Sequence, residues 1–457
     1  MQKQGRIINP EDKKLYKNLA AIAIPIAIQG VISSTLGLVD NLMVGFLGET
    51  ELAAVGVATQ IFFIHYLLLF GFSGGTATFM AQFFGAKDMK NIRKTLGFTI
   101  AIALGVGLLF FIATFFFTEQ VARIYSDEES VIELACQYIK IGSPTVFFLA
   151  FSAPIEMALK TTQQTKIPLK ISIAVFGTNT FLNYVFIFGK FGAPALGVAG
   201  AALATTIARC LEIGLVDYVI FRRKNILAGK FKEYIGWDKE MIRRILKNAL
   251  PTTTNELFWS IGQSMYVAAF SRIGITAYAA YQAAASINSI FSFAAFSVGD
   301  ATLIMVGEKI GEGESEETYK LGKKLLKIGT IVGVVCGLAL MASAVPLVEL
   351  FSLTTLGKSY AIRILIIYGA FMGLNLYNGI NITGILRGGG DTKFAMFAEL
   401  GCVWLVAVPL AFICSLWLRL PIYLVLLIMR IDDVIKMLIL TKRFVSKKWL
   451  KNLIRGL

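Results

Sequence analysis

The two halves of the chain repeat each other at an offset of 226 residues. Pro25 recurs as Pro251, and Gly85 recurs as Gly311. Four small or polar residues recur in the same order, with Gly48, Thr50, Ala53 and Ala54 matching Gly274, Thr276, Ala279 and Ala280. A chain with this self-similarity is expected to fold as two copies of one structural unit.

The apolar segments indicate the environment of these two units. Hydrophobic residues make up 56% of the 457 residues and charged residues only 16%, which is too apolar for a soluble protein of this size. A helix needs about 20 apolar residues to cross the hydrocarbon layer. Twelve segments reach that length: 16–47, 52–84, 95–118, 131–159, 167–189, 194–221, 242–271, 276–308, 325–348, 359–386, 394–418 and 420–441. The sequence therefore predicts an all-α polytopic membrane protein with twelve transmembrane helices in two pseudo-symmetric six-helix lobes.

The basic residues are concentrated in alternate loops. Of the 44 Lys and Arg residues, 34 lie in the N-terminal segment, the even-numbered loops and the C-terminal tail, with Lys3 and Arg6 among them. The positive-inside rule places these regions, and so both termini, on the cytoplasmic side of a plasma membrane. The net charge of +15 then follows from topology, and a nucleic-acid partner is not expected.

The same pattern predicts four regions along the chain. They are an N-lobe (residues 1–221), a cytoplasmic connector (222–241), a C-lobe (242–445) and a basic cytoplasmic tail (446–457). The connector and the tail are candidates for amphipathic helices that lie on anionic lipid. A solvated linker is an equally good interpretation of the connector.

The sequence narrows the possible energy sources. It contains no G-x-x-x-x-G-K-[ST] loop, and its five cysteines show no metal-binding spacing, so neither ATP hydrolysis nor a cofactor is predicted. A proton or sodium gradient is the remaining drive for uphill transport. Its chemistry has to lie in ionisable residues within the spans, each of which costs about 2.5–3.5 kcal/mol to insert.

Asp40 is a lone carboxylate among apolar and small residues of the first span. Such a setting suits reversible protonation, although a structural hydrogen bond to a neighbouring helix is an alternative. Asn179 and Asn183 share one face of the fifth span. They could offer donors and acceptors to an ion or to Asp40, and interhelix hydrogen bonding explains them equally well.

Glu256 and Asp300 lie at similar depths in the seventh and eighth spans. Glu256 follows Pro251, which frees backbone carbonyls that could help to hold a cation. The two carboxylates could share one ion or proton, although a helix–helix hydrogen bond explains Asp300 equally well. Trp259 and Tyr266 nearby could stack on an organic cation, but helix packing is the simpler explanation for both.

The other intramembrane charges have simpler structural explanations. Arg209 and Glu212 are spaced i, i+3 on the sixth span, which predicts an internal salt bridge. His65 lies in an aromatic run and is interpreted as structural. The last span carries a predicted structural charge cluster, made of Arg430, Asp432, Asp433 and Lys436.

Short motifs also occur in a fixed order. They are Pro25, residues 39–45 (VDNLMVG), Leu47-Gly48, Ala53-Ala54, residues 197–205 (GVAGAALAT) and residues 386–388 (LRG). Parts of the first motifs are repeated in the second half around Pro251 and Gly274. Within a six-plus-six repeat, this order resembles the MATE (multidrug and toxic compound extrusion) family of prokaryotes over essentially the whole chain. The resemblance implies two lobes in a V and the export of organic, often cationic, compounds in exchange for H⁺ or Na⁺.

The resemblance also implies roles for particular residues. Asp40 falls on the family's N-lobe acid and Glu256 on its C-lobe acid, while Asn179 and Thr205 fall on polar positions of the N-lobe site. The coupling ion, if it is Na⁺, is then expected either at Asp40, Asn179 and Thr205 or at Glu256 and Asp300. Asp40, Glu256, Trp259 and Tyr266 are the expected substrate contacts.

This chain departs from the family pattern in two places. Asn183 stands where many relatives carry a second N-lobe aspartate, and the tenth span around residues 375–381 lacks the aspartate that partners the helix 7 acid. Asp300 is expected to compensate for the second loss. These departures leave open which lobe holds the coupling site and whether its ion is H⁺ or Na⁺.

The combined expectation is a monomeric secondary active exporter, not an enzyme, whose lobes rock between two states in the bilayer. A flippase for lipid-linked precursors is the alternative, although such proteins usually have more helices and a cationic cavity. A non-transporting sensor or scaffold is a further alternative, but it would not need asymmetric buried acids.

Overall fold

The computed structural model describes residues 10–457, so Lys3 and Arg6 lie outside the described residues. Every regular element in this range is helical. The first half contains α1 (Pro10–Gly45), α2 (Glu49–Gly85), α3 (Met89–Phe116), α4 (Thr118–Ala122), α5 (Glu129–Gly142), α6 (Thr145–Thr161), α7 (Lys166–Phe188) and α8 (Gly197–Asp217), which continues as a π-helical segment, Tyr218–Arg222.

The second half repeats this plan with more interruptions. Its helices are α9 (Phe231–Tyr234), α10 (Lys239–Ser271), α11 (Ile275–Gly311), α12 (Ser315–Val348), α13 (Thr355–Gly379), α14 (Thr392–Cys402), α15 (Val408–Phe412), α16 (Ile422–Met429) and α17 (Ile431–Val445). Three π-helical segments extend or join them, namely Ile380–Leu386, Val403–Ala407 and Ile413–Trp417.

The predicted spans correspond to these helices. Nine helices in residues 10–457 are long and apolar enough to cross a membrane, and α5 with α6, bent by 51°, makes a tenth. The break between α5 and α6 comes at Ser143-Pro144, where the sequence predicted one continuous span. The other two predicted spans fall short for different reasons: α10 is the least apolar of the long helices, whereas α16 and α17 are only 8 and 15 residues long.

The hydrophobic cores show where the two lobes touch. We call the end of the molecule with residues 10 and 457 the terminal end and the opposite one the far end. At the far end, one core uses only α1–α8 and the other only α10–α16. At the terminal end the cores are shared: one contains both Ile22 of α1 and Ile304 of α11, and another contains both Ile245 of α10 and Phe79 of α2. The space between the lobes is therefore closed at the terminal end.

Two repeat-related glycines make this closure tight. A Cβ atom on Gly85 would lie 1.9 Å from the carbonyl oxygen of Glu308, and one on Gly311 would lie 1.9 Å from that of Gln82. Helices α2 and α11 thus cross with each glycine against the other helix's backbone. The recurrence of Gly85 as Gly311 is explained by this reciprocal contact.

The C-terminal tail is part of the same closure and does not form the amphipathic helix predicted for it. Trp449 is fully buried. Gln82 of α2 donates to the Lys451 carbonyl at 3.1 Å and accepts from the Leu453 amide at 2.8 Å, and Arg244 of α10 donates to the Leu453 carbonyl at 3.1 Å. The tail is held by protein groups from both lobes instead of lying on lipid.

The connector is also more ordered than a solvated linker. It contains a single helical turn, α9, where an amphipathic helix was one of the predicted alternatives. Arg93 of α3 pairs with Glu233 at 2.7 Å, and Trp237 packs edge-on against Phe98 with ring centroids 5.5 Å apart. These contacts fix the connector against the first lobe.

Candidate functional site

A cavity of about 970 Å³ lies between the lobes. Its wall combines α1, α2, α6, α7 and α8 with α10, α11, α13, α14 and α17. Twelve charged side chains line it, seven carboxylates and five basic groups: Glu156, Lys160, Arg209, Glu212, Glu256, Asp300, Arg387, Glu399, Arg430, Asp432, Asp433 and Lys436. Such a concentration of charge inside a membrane-embedded wall marks a functional site.

The predicted N-lobe residues form one hydrogen-bonded chain. The Asn183 amide donates to Asp40 Oδ1 at 2.5 Å and to Asn179 Oδ1 at 3.1 Å. The Asn179 amide donates to Thr205 Oγ1 at 3.1 Å. The two asparagines share one face of α7, as their i, i+4 spacing predicted, and this face joins Asp40 of α1 to Thr205 of α8.

This N-lobe network contains one unused acceptor and one residue that the sequence analysis missed. Asn183 Oδ1 is buried without a hydrogen-bond partner, so one ligand position beside Asp40 stays open. Tyr138 on α5 lies beside Thr205. No sequence signal pointed to Tyr138, because its contact depends on how α5 packs on α8.

Asp40 does not reach the central cavity. The residues that line the cavity in the described structure include none of the four N-lobe network residues. The Asp40 side chain accepts a hydrogen bond from Asn183 inside the first lobe, so the structure gives no support to the predicted contact between Asp40 and a substrate in the cavity. Its role in coupling stays a prediction.

Glu256 is paired with an arginine. Arg387 Nη2 lies 2.7 Å from Glu256 Oε1 and 4.0 Å from Glu399 Oε2. The Asn255 amide donates to Glu399 at 2.7 Å. Asp300 lies in the wall of the same cavity, but the contact that the sequence analysis assigned to it is filled by Arg387, and sharing of an ion between Glu256 and Asp300 stays a prediction.

The sequence held signals for both missed residues. Arg387 belongs to the LRG motif at residues 386–388, and Glu399 is a carboxylate inside the eleventh predicted span. Neither was assigned a role, because the pairing joins positions 131 residues apart (256 and 387).

The remaining charges pair as local spacing predicts. Arg209 lies 2.6 Å from Glu212, which confirms the i, i+3 salt bridge, and the last-span cluster also pairs internally. The cavity thus holds five ion pairs: Lys160–Glu156, Arg209–Glu212, Arg387–Glu256, Arg430–Asp433 and Lys436–Asp432. Among the charges the structure describes here, two carboxylates are in surplus, Asp300 and Glu399.

The predicted aromatic contacts differ in accessibility. Trp259 is 38% exposed and lines the cavity, whereas Tyr266 lines it but is only 8% exposed and belongs to the second lobe's core. Trp259 therefore offers a free aromatic face, and Tyr266 contributes mainly to packing. His65 is buried against Phe110, with ring centroids 5.0 Å apart, which agrees with its structural interpretation.

Two six-helix lobes around a charged cavity are an architecture that is typical of membrane transporters. The chain is a multi-pass membrane transporter and not an enzyme. The MatE family model matches residues 25–185 and 251–413, one segment in each half. The chain belongs to this family.

Curated relatives and solved structures match over nearly the whole chain. The probable multidrug resistance protein NorM of Thermotoga maritima is 24% identical over 97% of this chain and 95% of its own length. The probable multidrug resistance protein YoeA of Bacillus subtilis is 24% identical, with 89% of each chain covered. An outward-facing multidrug resistance MATE family transporter of the MOP superfamily matches with a TM-score of 0.86 at 19% identity, covering 95% of this chain and 97% of that one. This last likeness concerns the fold.

Proposed function

We propose that this transporter exports organic cations from the cell in exchange for H⁺ or Na⁺. The observation that carries the proposal is the charge balance of the central cavity, in which five ion pairs leave Asp300 and Glu399 in surplus. A bound organic cation would offset part of that surplus, and the free face of Trp259 could stack on an aromatic one. The names of the relatives, which are multidrug resistance proteins, support the same substrate class.

The proposed coupling site is the N-lobe network around Asp40. A proton would need only the Asp40 carboxylate. A sodium ion would need several oxygen ligands, and the network has them: the carboxylate, the Thr205 hydroxyl and the amide oxygens of Asn179 and Asn183. The unpartnered Asn183 Oδ1 is the oxygen that is free to take up an ion without losing a hydrogen bond.

The proposed cycle follows from the shared cores. The terminal end is closed in this structure, and by the positive-inside rule it faces the cytoplasm. This state would therefore release its substrate to the outside of the cell. Ion binding at Asp40 and substrate binding in the cavity then favour opposite states, because antiport requires each ligand to stabilise a different lobe arrangement. The basic residues on the terminal side support a plasma-membrane location with both termini inside.

The test is dye export from proteoliposomes under separately imposed proton and sodium gradients. We expect wild-type protein to export ethidium under one of them, and expect Asp40→Asn and Glu256→Gln to lower that rate about tenfold or more. Glu133→Gln, an exposed carboxylate on α5, is the matched control and should export normally. If folded wild-type protein exports no cationic dye under either gradient, the proposal fails and the flippase alternative takes its place.

A second variant tests the N-lobe network as the ion site. Asn183→Asp restores the second carboxylate that many relatives carry beside Asp40, at a position where the asparagine contacts both Asp40 and Asn179. If the gradient that drives export is the Na⁺ gradient, we expect the Na⁺ concentration for half-maximal dye export to fall about tenfold, which corresponds to about 1.4 kcal/mol.

Asn375→Asp is the control for this effect, because it adds the same charge to the cavity wall instead of the N-lobe network. An equal change in Na⁺ dependence in both variants would mean that the added negative charge acts through long-range electrostatics. That result would count against an ion site in the N-lobe network.

A further inference from the structure

Arg387 lies between two carboxylates in the wall of the cavity. Its guanidinium is 2.7 Å from Glu256 on α10 and 4.0 Å from Glu399 on α14, and the side chain lines the cavity while only 5% of the residue is exposed. We infer that Arg387 is a built-in competitor of the substrate: it occupies Glu256 in the empty transporter and moves to Glu399 when an organic cation takes its place. The inference rests on the proposed export of cations.

The charge count of this trio is the first argument. Two carboxylates and one guanidinium carry a net charge of −1, which a singly charged substrate neutralises. With a cation on Glu256 and Arg387 on Glu399, each buried charge again has an opposite partner. The exchange therefore avoids leaving any buried charge uncompensated, the state that costs most in a low-dielectric site.

The geometry of the guanidinium is the second argument. Arginine has five donors in a planar fork, and one nitrogen, Nη2, already lies within 4.0 Å of both carboxylates. Glu399 is held by the Asn255 amide at 2.7 Å, so it is positioned to receive the guanidinium. A small rotation of one side chain is then enough to change partners.

The backbone beside Arg387 links this exchange to the lobes. The π-helical segment Ile380–Leu386 ends immediately before it, and such segments are common at functional sites. The Arg387 carbonyl accepts a hydrogen bond from Thr78 of α2 at 2.8 Å, and the Gly388 carbonyl accepts one from Gln82 at 3.4 Å. The backbone at the arginine is thus anchored to the opposite lobe in this state, in which the terminal end is closed.

Two dyes that differ in charge provide the test. Ethidium carries one positive charge, and propidium is a close relative with a second, quaternary ammonium group. Arg387→Gln removes the competitor and leaves the trio with a net charge of −2. We expect the Kd of ethidium on purified full-length protein to fall about tenfold and that of propidium to fall by a further factor of about ten. A purely structural role would weaken the binding of both dyes to the same extent.

Matched variants separate this effect from general electrostatics and from misfolding. Lys160→Gln removes a cavity charge that is paired with Glu156 and not with Glu256, so it should lower both Kd values, and change their ratio, by much less than Arg387→Gln does. Arg387→Lys should keep the wild-type ratio of the two Kd values. If Arg387→Gln does not fold, the double variant E256Q/R387Q, which keeps the trio at −1, is expected to fold and to bind the two dyes with the wild-type ratio.

Two outcomes are distinguishable. If wild-type protein binds neither dye, the proposed export of organic cations fails. If wild-type protein binds both dyes but Arg387→Gln leaves the ratio of their Kd values unchanged, Arg387 is not a competitor and the inference is overturned. The inference is also overturned if E256Q/R387Q favours propidium over ethidium by the tenfold factor that was expected for Arg387→Gln.

Discussion

Gly311→Val is expected to hold the transporter open at its terminal end and to lower dye export about a hundredfold. A Cβ atom at Gly311 would lie 1.9 Å from the Gln82 carbonyl oxygen, a distance that no relaxed structure allows. Because the obstacle is backbone, relief requires α2 and α11 to separate. Overpacking costs about 1–3 kcal/mol, and about 3 kcal/mol applied to the closed state alone shifts the equilibrium between states roughly a hundredfold.

The measurement combines export with a probe of the closure. Ala81 is fully buried near the crossing of α2 and α11, and its Cβ lies 2.7 Å from the position of a Cβ on Gly307. A cysteine at position 81 should react slowly with a maleimide in the otherwise unchanged protein and rapidly in Gly311→Val. Gly105→Val is the control, since a Cβ there meets nothing within 4 Å. Unchanged labelling and export in Gly311→Val would show that the crossing does not set the closure.

Gly85→Val should give the same result, because the contact is reciprocal. The two glycines stand at equivalent positions in the repeat, and each meets the carbonyl of the other helix. A pseudo-symmetric transporter can close one end with a single kind of contact used twice. This is a reason for the 226-residue repeat to preserve glycine here, even though the acids Asp40, Glu256 and Asp300 are not repeated.

The sequence predicted those features that depend on length and local spacing. The thickness of a bilayer fixes how long a span must be, so the spans were predictable from the lengths of the apolar segments, and the two lobes from the 226-residue repeat. The Arg209–Glu212 pair and the shared face of Asn179 and Asn183 were also predictable, because i, i+3 and i, i+4 residues share a helix face.

Features that depend on contact between lobes were not predictable. The Glu256–Arg387 pair joins two helices far apart in sequence, and apolar spans carry almost no periodic signal to say which face meets which neighbour. The tail was predicted as a lipid-facing helix from its charge. Its position was instead decided by Trp449, whose burial in the shared core outweighs the preference of its lysines for a membrane surface.

Trp449→Ala is the second variant with a large expected effect. The indole is fully buried, stacks on Phe444 with ring centroids 5.7 Å apart, and donates to the Phe444 carbonyl at 3.0 Å. Replacing a buried tryptophan with alanine costs about 3–5 kcal/mol. Two residues further on, Lys451 accepts from Gln82 of the other lobe, so loss of the indole should also release the tail from the closure.

We therefore expect Trp449→Ala to lower the midpoint of thermal unfolding by several degrees and to raise labelling of a cysteine at position 81. Trp417→Ala is the matched control, because Trp417 is 81% exposed at the far end of the second lobe, and it should change neither quantity. A variant that loses stability without any increase in labelling would mean that Trp449 supports only the second lobe. In that case the hydrogen bonds between Gln82 and the tail would form when the lobes close but would not stabilise the closed state.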